Sequence, residues 1–266
     1  MKNNQQRYNV KNKLIMQTLF GISLAIGTGS VLAETDWAGG FAGVDFGVGF
    51  DLGDNGELEF KRANGSNNTT AINNAFGRNF DGKFEAGETF GLRAGYNFQR
   101  NSLVYGVIGD LSYANISEEQ SAFSSTPATY IERRKLNTLA SLRGRLGYAN
   151  DSALLPFVTA GLAYGNVEYS WEGNSGAYRG DNGKDTNGIG YVIGLGADYL
   201  LNENMTVGVE FLHYNLGDSK FKTRLSGEAG GALAAFGNAA SGGTIQQGSK
   251  DDFAFQALKV SVNWKF

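Results

Sequence analysis

Few residues of this 266-residue chain belong to types that carry out chemistry. The sequence has one histidine, His213, and no cysteine, which excludes thiolate nucleophiles, thiolate zinc sites and disulfides. No nucleophile, base and acid fall at a spacing typical of a catalytic constellation. The glycine-rich stretch GVGFDLGDNG departs from the G-x-G-x-x-G phosphate-binding pattern and opens no helical pattern. We therefore expect no enzymatic activity, no cofactor and no metal.

Charged side chains on one face of alternating strands are the more informative set. Strand side chains point to opposite faces in turn, so residue parity separates the charges from the bulky apolar residues. The closing stretch ALKVSVNWKF is an example. One face holds the apolar residues Leu258, Val260, Val262, Trp264 and Phe266, and the other holds the polar residues Lys259, Ser261, Asn263 and Lys265. Apart from Lys265, the charged face of all strands holds four acidic and four basic residues: Asp45, Arg93, Asp110, Arg143, Arg145, Asp198, Glu210 and Lys259.

The elements that position these charges are strands. The alternation predicts eight of them, at residues 41–50, 88–99, 103–114, 135–148, 155–170, 188–200, 205–216 and 253–266. Short polar breaks, QRNS, ANDS and LNEN, predict hairpin turns at one end, whereas long polar loops are expected at residues 51–87, 115–134, 171–186 and 217–251. The pattern predicts an all-β, eight-stranded antiparallel up-and-down transmembrane β-barrel with long extracellular loops.

The alternation alone leaves open which face points inward, because a soluble lipocalin-like barrel would enclose the apolar face. Aromatic residues at both ends of the apolar face favour two membrane interfaces, and a glycine-rich opposite face suits a narrow lumen. Only 18% of residues are charged, too few for a soluble exterior. The two aromatic girdles comprise Tyr96, Phe98, Tyr105, Tyr148, Tyr199, Trp264 and Phe266 near the turns, and Phe50, Phe90, Tyr113, Tyr164, Tyr191 and Phe211 near the loops.

The N-terminal residues predict export. Four basic residues precede an apolar run that ends in SVLA at Ala33, the pattern of a cleaved secretory signal peptide over residues 1–33. An uncleaved membrane anchor is the weaker alternative, because polar residues and glycines break the run. Residues 34–266 are then the barrel domain. Without the four leader cations, 19 basic and 26 acidic side chains remain, a net charge of −7 that argues against nucleic acid as a partner.

Several stretches resemble the small porin-like outer-membrane β-barrel family of alphaproteobacteria, which includes surface antigens and hemin-binding proteins. They are WAGGFAG from Trp37, RGRLGY from Arg143, LLPFVTAGLAYG from Leu154, EFLHYNLG from Glu210 and the closing VSVNWKF. The resemblance implies localisation in the bacterial outer membrane. It also implies that Trp264 and Phe266 form the C-terminal signal by which the outer-membrane assembly machinery recognises barrels.

The nearly balanced signs of the inward charges favour a structural ion-pair network, because isolated ions in a narrow lumen would be costly. The same groups lining a selectivity constriction would instead make a narrow porin-like channel for small solutes or ions. A third alternative, hemin binding through His213, comes from the resemblance. We expect a structural, surface-exposed envelope protein embedded in outer-membrane lipid, whose loops contact lipopolysaccharide, host surface molecules or small ligands.

Overall fold

The computed structural model describes residues 36–53, 56–62, 64–67, 76–124, 128–149, 153–173, 186–218, 222–225, 244–250 and 252–266. The predicted signal peptide lies outside these residues. Among the described segments, no helix has the length and apolar character needed to cross a bilayer.

Strands account for nearly all of the described backbone. They are β1 (Gly39–Phe50), β2 (Leu58–Arg62), β3 (Phe80–Glu85), β4 (Gly87–Arg100), β5 (Leu103–Ser124), β6 (Ala128–Tyr148), β7 (Leu154–Gly173), β8 (Thr186–Asn202), β9 (Met205–Asp218), β10 (Lys222–Leu225), β11 (Thr244–Gly248) and β12 (Asp252–Lys265).

Eight long strands close into an antiparallel ring, as predicted. Around the ring the order is β1, β4, β5, β6, β7, β8, β9 and β12, and β12 pairs with β1 to complete it. Closure of the ring satisfies the hydrogen-bonding groups of both terminal strands, so the barrel has no open edge over these pairings. Strand β3 continues the line of β4 beyond Ala86 and pairs with the far half of β5.

The apolar faces point outward and the charged faces point inward. Leu92 and Leu162 on the outer surface are 64% and 66% exposed, whereas the inward Arg93 and Arg143 are buried. Glycine on the inner face makes room for the larger inward side chains. At Gly95, a Cβ atom would lie 2.5 Å from the ring of Phe41, so position 95 has no room for a side chain.

The prediction of a loop at residues 115–134 is wrong. Strand β5 runs to Ser124 and β6 begins at Ala128, so the hairpin extends well beyond the aromatic girdle near the loops. The extension carries Ser117, Glu119 and Ser121 on its outer face and Glu118 and Gln120 on its inner face. With polar residues on both faces, it lacks the apolar alternation that marks the membrane-embedded part of each strand.

Two of the other predicted loops contain short strands. Strands β2, β11 and β10 form a three-stranded antiparallel sheet, joining residues from the first and fourth connections. Phe60 of β2 stacks on Phe76, with ring centroids 4.8 Å apart, and meets Tyr130 of β6 edge-on at 5.8 Å. We call this sheet, together with Phe76 and the facing extensions of β3, β5 and β6, the outer sandwich.

Candidate functional sites

Six of the predicted inward charges form one chain of contacts across the lumen. They come from six strands: Asp45 of β1, Arg93 of β4, Asp110 of β5, Arg143 of β6, Glu210 of β9 and Lys259 of β12. All six are buried, and the chain alternates in sign from end to end. We call it the lumen network.

Arg143 is the centre of the lumen network. Its Nη1 atom lies 3.0 Å from Glu210 Oε1, and its Nη2 atom lies 3.0 Å from Asp110 Oδ2. Its Nε atom donates to Ser141 Oγ at 3.0 Å, and the Ser141 hydroxyl in turn donates to Asp110. One guanidinium group therefore holds two carboxylates from different strands in a fixed planar geometry.

Arg93 and Lys259 make the remaining ion pairs of the network. Arg93 Nη1 lies 2.8 Å from Glu210 Oε2, so both carboxylate oxygens of Glu210 have cationic partners. Lys259 Nζ lies 3.0 Å from Asp45 Oδ1 and 3.2 Å from Asp110 Oδ1, and it also donates to Ser112 Oγ. Three positive and three negative charges therefore neutralise one another within the barrel.

The two remaining predicted charges form a separate pair nearer the turn end. Arg145 Nη2 lies 2.8 Å from Asp198 Oδ2, and the guanidinium carbon lies 3.9 Å above the ring of Phe157. The neighbouring Gly208 is required to be small, because an added Cβ would come within 2.3 Å of Asp198 Oδ1. Residue parity placed both charges inside, but it gave no indication that they stand apart from the other six.

Apolar side chains are buried inside the barrel on both sides of these charges. Towards the loops, a cluster of buried side chains fills the barrel: Ala114, Ile116, Leu136, Leu139, Ala163, Val167, Tyr169, Val192, Leu212, Tyr214, Leu216, Phe253, Phe255 and Ala257. Towards the turns, Trp37 packs with Val104, Leu155 and Leu200. A cavity of about 10 Å³ beside Arg145 and Asp198 has room for a single water molecule.

The C-terminal residues lie where the barrel meets the interface on the turn side. Trp264 and Phe266 point outward and are 48% and 82% exposed. The backbone N–H of Phe266 donates to Gly40 O at 3.0 Å, and that of Lys265 donates to Asn204 O at 2.7 Å. Lys265 does not join the lumen network. Its ammonium group donates instead to the backbone carbonyl of Asp36 at the mouth of the barrel.

The single histidine lies on the outer, lipid-facing side of β9. Its Nδ1 atom is 3.2 Å from Gln256 Nε2, and its ring is tilted against that of Tyr191. In the part of the chain that the structure describes, no group of three histidine or carboxylate side chains is arranged to hold a metal ion.

The outer sandwich contains a second buried polar cluster, which the sequence reasoning missed because it assigned these residues to a loop. Arg134 Nη2 lies 2.5 Å from Glu118 Oε2, and Gln120 Nε2 donates to Glu118 Oε1 at 3.2 Å. Glu132 lies beside this pair. Both faces from Ile116 to Phe123 mix polar and apolar residues, so the period-two pattern gave no signal for this strand.

Glu132 lacks the opposite-charge pairing seen in the lumen. Burial raises its pKa to about 8, and the neighbouring Glu118 carboxylate adds to the rise, although Arg134 and the Gly248 N–H of β11 both favour the charged form. Glu132 Oε2 and both amide atoms of Gln246 are buried without a hydrogen-bond partner. The sandwich therefore holds a carboxyl group that is most stable when protonated.

The outward face of the same hairpin is polar and solvent-accessible. Arg133 Nη2 lies 2.7 Å from Glu119 Oε2, and its Nη1 lies 3.1 Å from Glu172 Oε1. The hydrogen bond to Glu119 raises the pKa of Arg133, burial opposes the rise, and the charges of the two carboxylates add to it, so the residue stays cationic. These exposed pairs replace the apolar surface found lower on the same strands.

A closed ring of eight tilted strands, with an apolar outer band between two aromatic girdles and charges inside, defines a transmembrane β-barrel. The comparison with protein families identifies the group. Residues 22–266 match the family model described as the outer membrane protein beta-barrel domain, and the chain belongs to that family. It is an integral β-barrel protein of the outer membrane.

Characterised relatives and a solved structure are similar to this chain. The 31 kDa outer-membrane immunogenic protein of Brucella melitensis biotype 1 is 29% identical over 192 residues, covering 68% of this chain and 72% of the relative. The 22 kDa outer membrane protein of Rhizobium leguminosarum bv. viciae is 33% identical over 117 residues, covering 44% and 47%. The structure of OprG from Pseudomonas aeruginosa aligns with a TM-score of 0.49 at 15% identity, covering 86% and 96%.

Proposed function

We propose that this outer-membrane protein is a closed, structural barrel that presents the outer sandwich to the surroundings of the cell, and that it has no catalytic role. The observation that carries the proposal is the filling of the lumen. A charge-balanced network lies between two apolar layers, so an ion entering from either side would meet a region without exposed polar partners.

The lumen network supports a structural role over a selectivity constriction. A constriction requires charged groups that face water and a passing ion. Here Arg93, Arg143 and Glu210 each have side chains about 1% exposed, and each is engaged by a partner of opposite sign. Their low exposure and mutual neutralisation favour cross-strand stabilisation, with the six contributing strands held in register around Arg143.

The outer sandwich supports the second half of the proposal, contact with molecules outside the cell. It extends beyond the lipid-facing band and carries exposed charged pairs on a framework that is itself packed, through Phe60, Phe76 and Tyr130. Host surface molecules, lipopolysaccharide and small ligands are the partners we propose. The Brucella relative is named an immunogenic protein, which is consistent with an accessible surface in that protein.

We further propose that Trp264 and Phe266 are read by the outer-membrane assembly machinery. Both are exposed on the turn side, although the backbone of Phe266 is already hydrogen bonded to β1. Replacing Phe266 by aspartate should lower the amount of barrel in the outer membrane and leave precursor to be degraded. Unchanged outer-membrane levels, measured by fractionation against a Phe123→Asp control elsewhere on the exposed surface, would contradict this role.

Conductance in a planar lipid bilayer tests the closed barrel. Refolded mature protein, checked for folding by its heat-modifiable gel mobility, should give no large, stable current steps. An open porin measured in the same bilayers supplies the positive control. A well-defined single-channel conductance would contradict the proposal and would favour the narrow porin-like channel.

A further inference from the structure

The lipid-facing band of the barrel is apolar up to its loop-side edge. Between the girdles, its outward residues are aliphatic, aromatic or glycine: Val44, Phe46, Leu92, Ala94, Val107, Gly109, Leu111, Leu142, Gly144, Val158, Ala160, Leu162, Ile193, Leu195, Val209, Leu258 and Val260. His213 of β9 and Gln256 of β12 are neighbours in the register at the loop-side edge of this surface, beside the girdle residues Phe211 and Phe50. A polar pair facing hydrocarbon is costly unless its hydrogen-bonding groups are satisfied.

Both polar groups of the Gln256 side chain have hydrogen-bond partners, whereas only one ring nitrogen of His213 has one. Gln256 Oε1 accepts the backbone N–H of Leu52 at 3.0 Å, which leaves the Gln256 amide nitrogen to donate to His213 Nδ1 at 3.2 Å. A His213 ring that accepts at Nδ1 carries its proton on Nε2. Among the described residues, no acceptor is hydrogen bonded to that Nε2–H, so the ring presents a donor beside the lipid.

An apolar groove starts next to His213. It has a volume of about 730 Å³ and is lined by Leu146, Val158, Ala160, Ile193, Leu195 and Phe211. The groove exists because Gly144 and Ala160 are small. A Cβ at Gly144 would meet nothing closer than the Ala160 carbonyl oxygen, at 3.9 Å. The groove is shallow and open along the outer wall of the barrel, a shape that suits a chain lying along the surface and not a ligand enclosed by it.

We propose that the groove and His213 form a binding site for one lipopolysaccharide molecule, with an acyl chain in the groove. His213 Nε2–H donates to an ester, amide or hydroxyl oxygen at the head of that chain. The position of the ring favours this occupant. His213 lies two residues along β9 from Asn215, the register partner of the girdle residue Tyr191, so it is on the loop side, just inside the interface where such oxygens lie. The lipid interface of the barrel is continuous with the groove.

The proposed lipid site depends on the outer-membrane location of the chain. It does not depend on whether the lumen is closed. A phospholipid in the same groove and a second copy of the chain packed against it are the competing occupants. A second barrel would bury the groove against apolar protein and would offer His213 no acceptor from the band just described.

Native mass spectrometry of the protein extracted gently from outer membranes tests the site. Wild type should retain one lipopolysaccharide per barrel. Gly144→Leu, which fills the groove, and His213→Phe, which keeps an aromatic ring but removes the donor, should each retain about tenfold less. Gly109→Leu is the matched control, because Gly109 is also lipid-facing and unobstructed but lies outside the groove. His213→Gln restores a donor and should recover much of the retention.

All variants are first checked for heat-modifiable mobility, so that a misfolded barrel is not counted as loss of lipid. Equal lipopolysaccharide retention by wild type, Gly144→Leu and His213→Phe would overturn the proposal. So would selective retention of phospholipid, or a dimer mass that disappears only in Gly144→Leu. Added lipopolysaccharide should also raise the unfolding temperature of wild type and Gly109→Leu, but not that of Gly144→Leu.

Discussion

The lumen and the outer sandwich bury polar side chains in different ways. In the lumen, each of the eight predicted charges lies within about 3 Å of a partner of opposite sign, and their charges cancel. In the sandwich, Glu118 and Arg134 make one ion pair, and the neighbouring Glu132 is a second carboxyl group beside the single guanidinium of Arg134. The two regions differ in charge balance, because buried polar atoms without a hydrogen-bond partner occur in both, Arg93 Nε and Asp198 Oδ1 among them.

This difference in charge balance predicts which of the two regions can open. A neutral, paired network gains nothing from opening, because opening would expose ions only at the cost of their partners. The sandwich can gain solvation for Glu132 by separating β11 from β6. The lumen is therefore suited to holding the barrel together, and the sandwich is the part able to respond to its surroundings.

Arg143→Ala should have the largest effect. The substitution leaves Asp110 and Glu210 with fewer cationic partners in a buried site, and we expect a loss of about 3–5 kcal/mol in the free energy of unfolding. Urea unfolding in lipid vesicles, followed by tryptophan fluorescence, measures it. The double variant Arg143→Met with Asp110→Leu removes one charge of each sign, leaves Arg93 paired with Glu210 and Lys259 paired with Asp45, and should recover part of the loss. Equal stability of wild type and Arg143→Ala would show that the lumen network does not stabilise the barrel.

Phe60→Ala should open the sandwich and leave the barrel folded. Phe60 is fully buried among aromatic rings of the loops and β6, and truncating such a residue costs about 3–5 kcal/mol locally. Limited proteolysis should cut the variant within the sandwich, while its heat-modifiable mobility stays that of wild type. Phe123→Ala, which removes an exposed ring from β5, is the matched control and should leave the cleavage pattern unchanged.

Glu132→Gln should abolish a pH dependence of the sandwich. The pKa of Glu132 rises from 4.5 when free to about 8 when buried, so the folded sandwich binds a proton that the open form releases. Its stability is therefore highest below pH 4.5, falls between 4.5 and 8, and is level above. Hydrogen exchange of β2 and β11, corrected for intrinsic rates, should show this fall in wild type and not in Glu132→Gln. Parallel profiles would show that Glu132 does not control opening.

Arg133→Ala should have the smallest effect. Its ion pairs with Glu119 and Glu172 are partly exposed, and pairs of this kind contribute about 0–1 kcal/mol. Chemical denaturation should give nearly the wild-type midpoint, with any difference vanishing at high salt. A loss comparable to that of Arg143→Ala would mean that burial does not distinguish the two arginines, and the comparison between regions would fail.

The sequence predicted the membrane part of the fold well, because lipid imposes a strict alternation that parity can detect. The same parity placed Arg93 and Glu210 on the inner face but did not pair them. These residues are 117 positions apart on strands that are not neighbours, so their contact depends on how the ring closes. Outside the lipid the alternation is lost, and the extension of β5 and β6 was therefore taken for a loop.

The sandwich and the lipid-facing groove depend on contacts that sequence alone does not specify. Strands β2 and β11 come from connections almost two hundred residues apart, and each is only five residues long. The outward position of His213 followed from parity. Its pairing with Gln256 required the register between β9 and β12, which a single residue's slip would abolish.

The central claim is that layers inside the membrane, and not the sandwich above them, close the barrel. Single-channel recording of a variant in which residues 54–79 and 219–250 are each replaced by a short Gly-Ser turn tests it most directly. Once its heat-modifiable mobility shows a folded barrel, we predict that this variant is as non-conducting as the full-length mature protein. Stable current steps in the shortened barrel, absent from the intact one, would contradict the claim and assign closure to the outer sandwich.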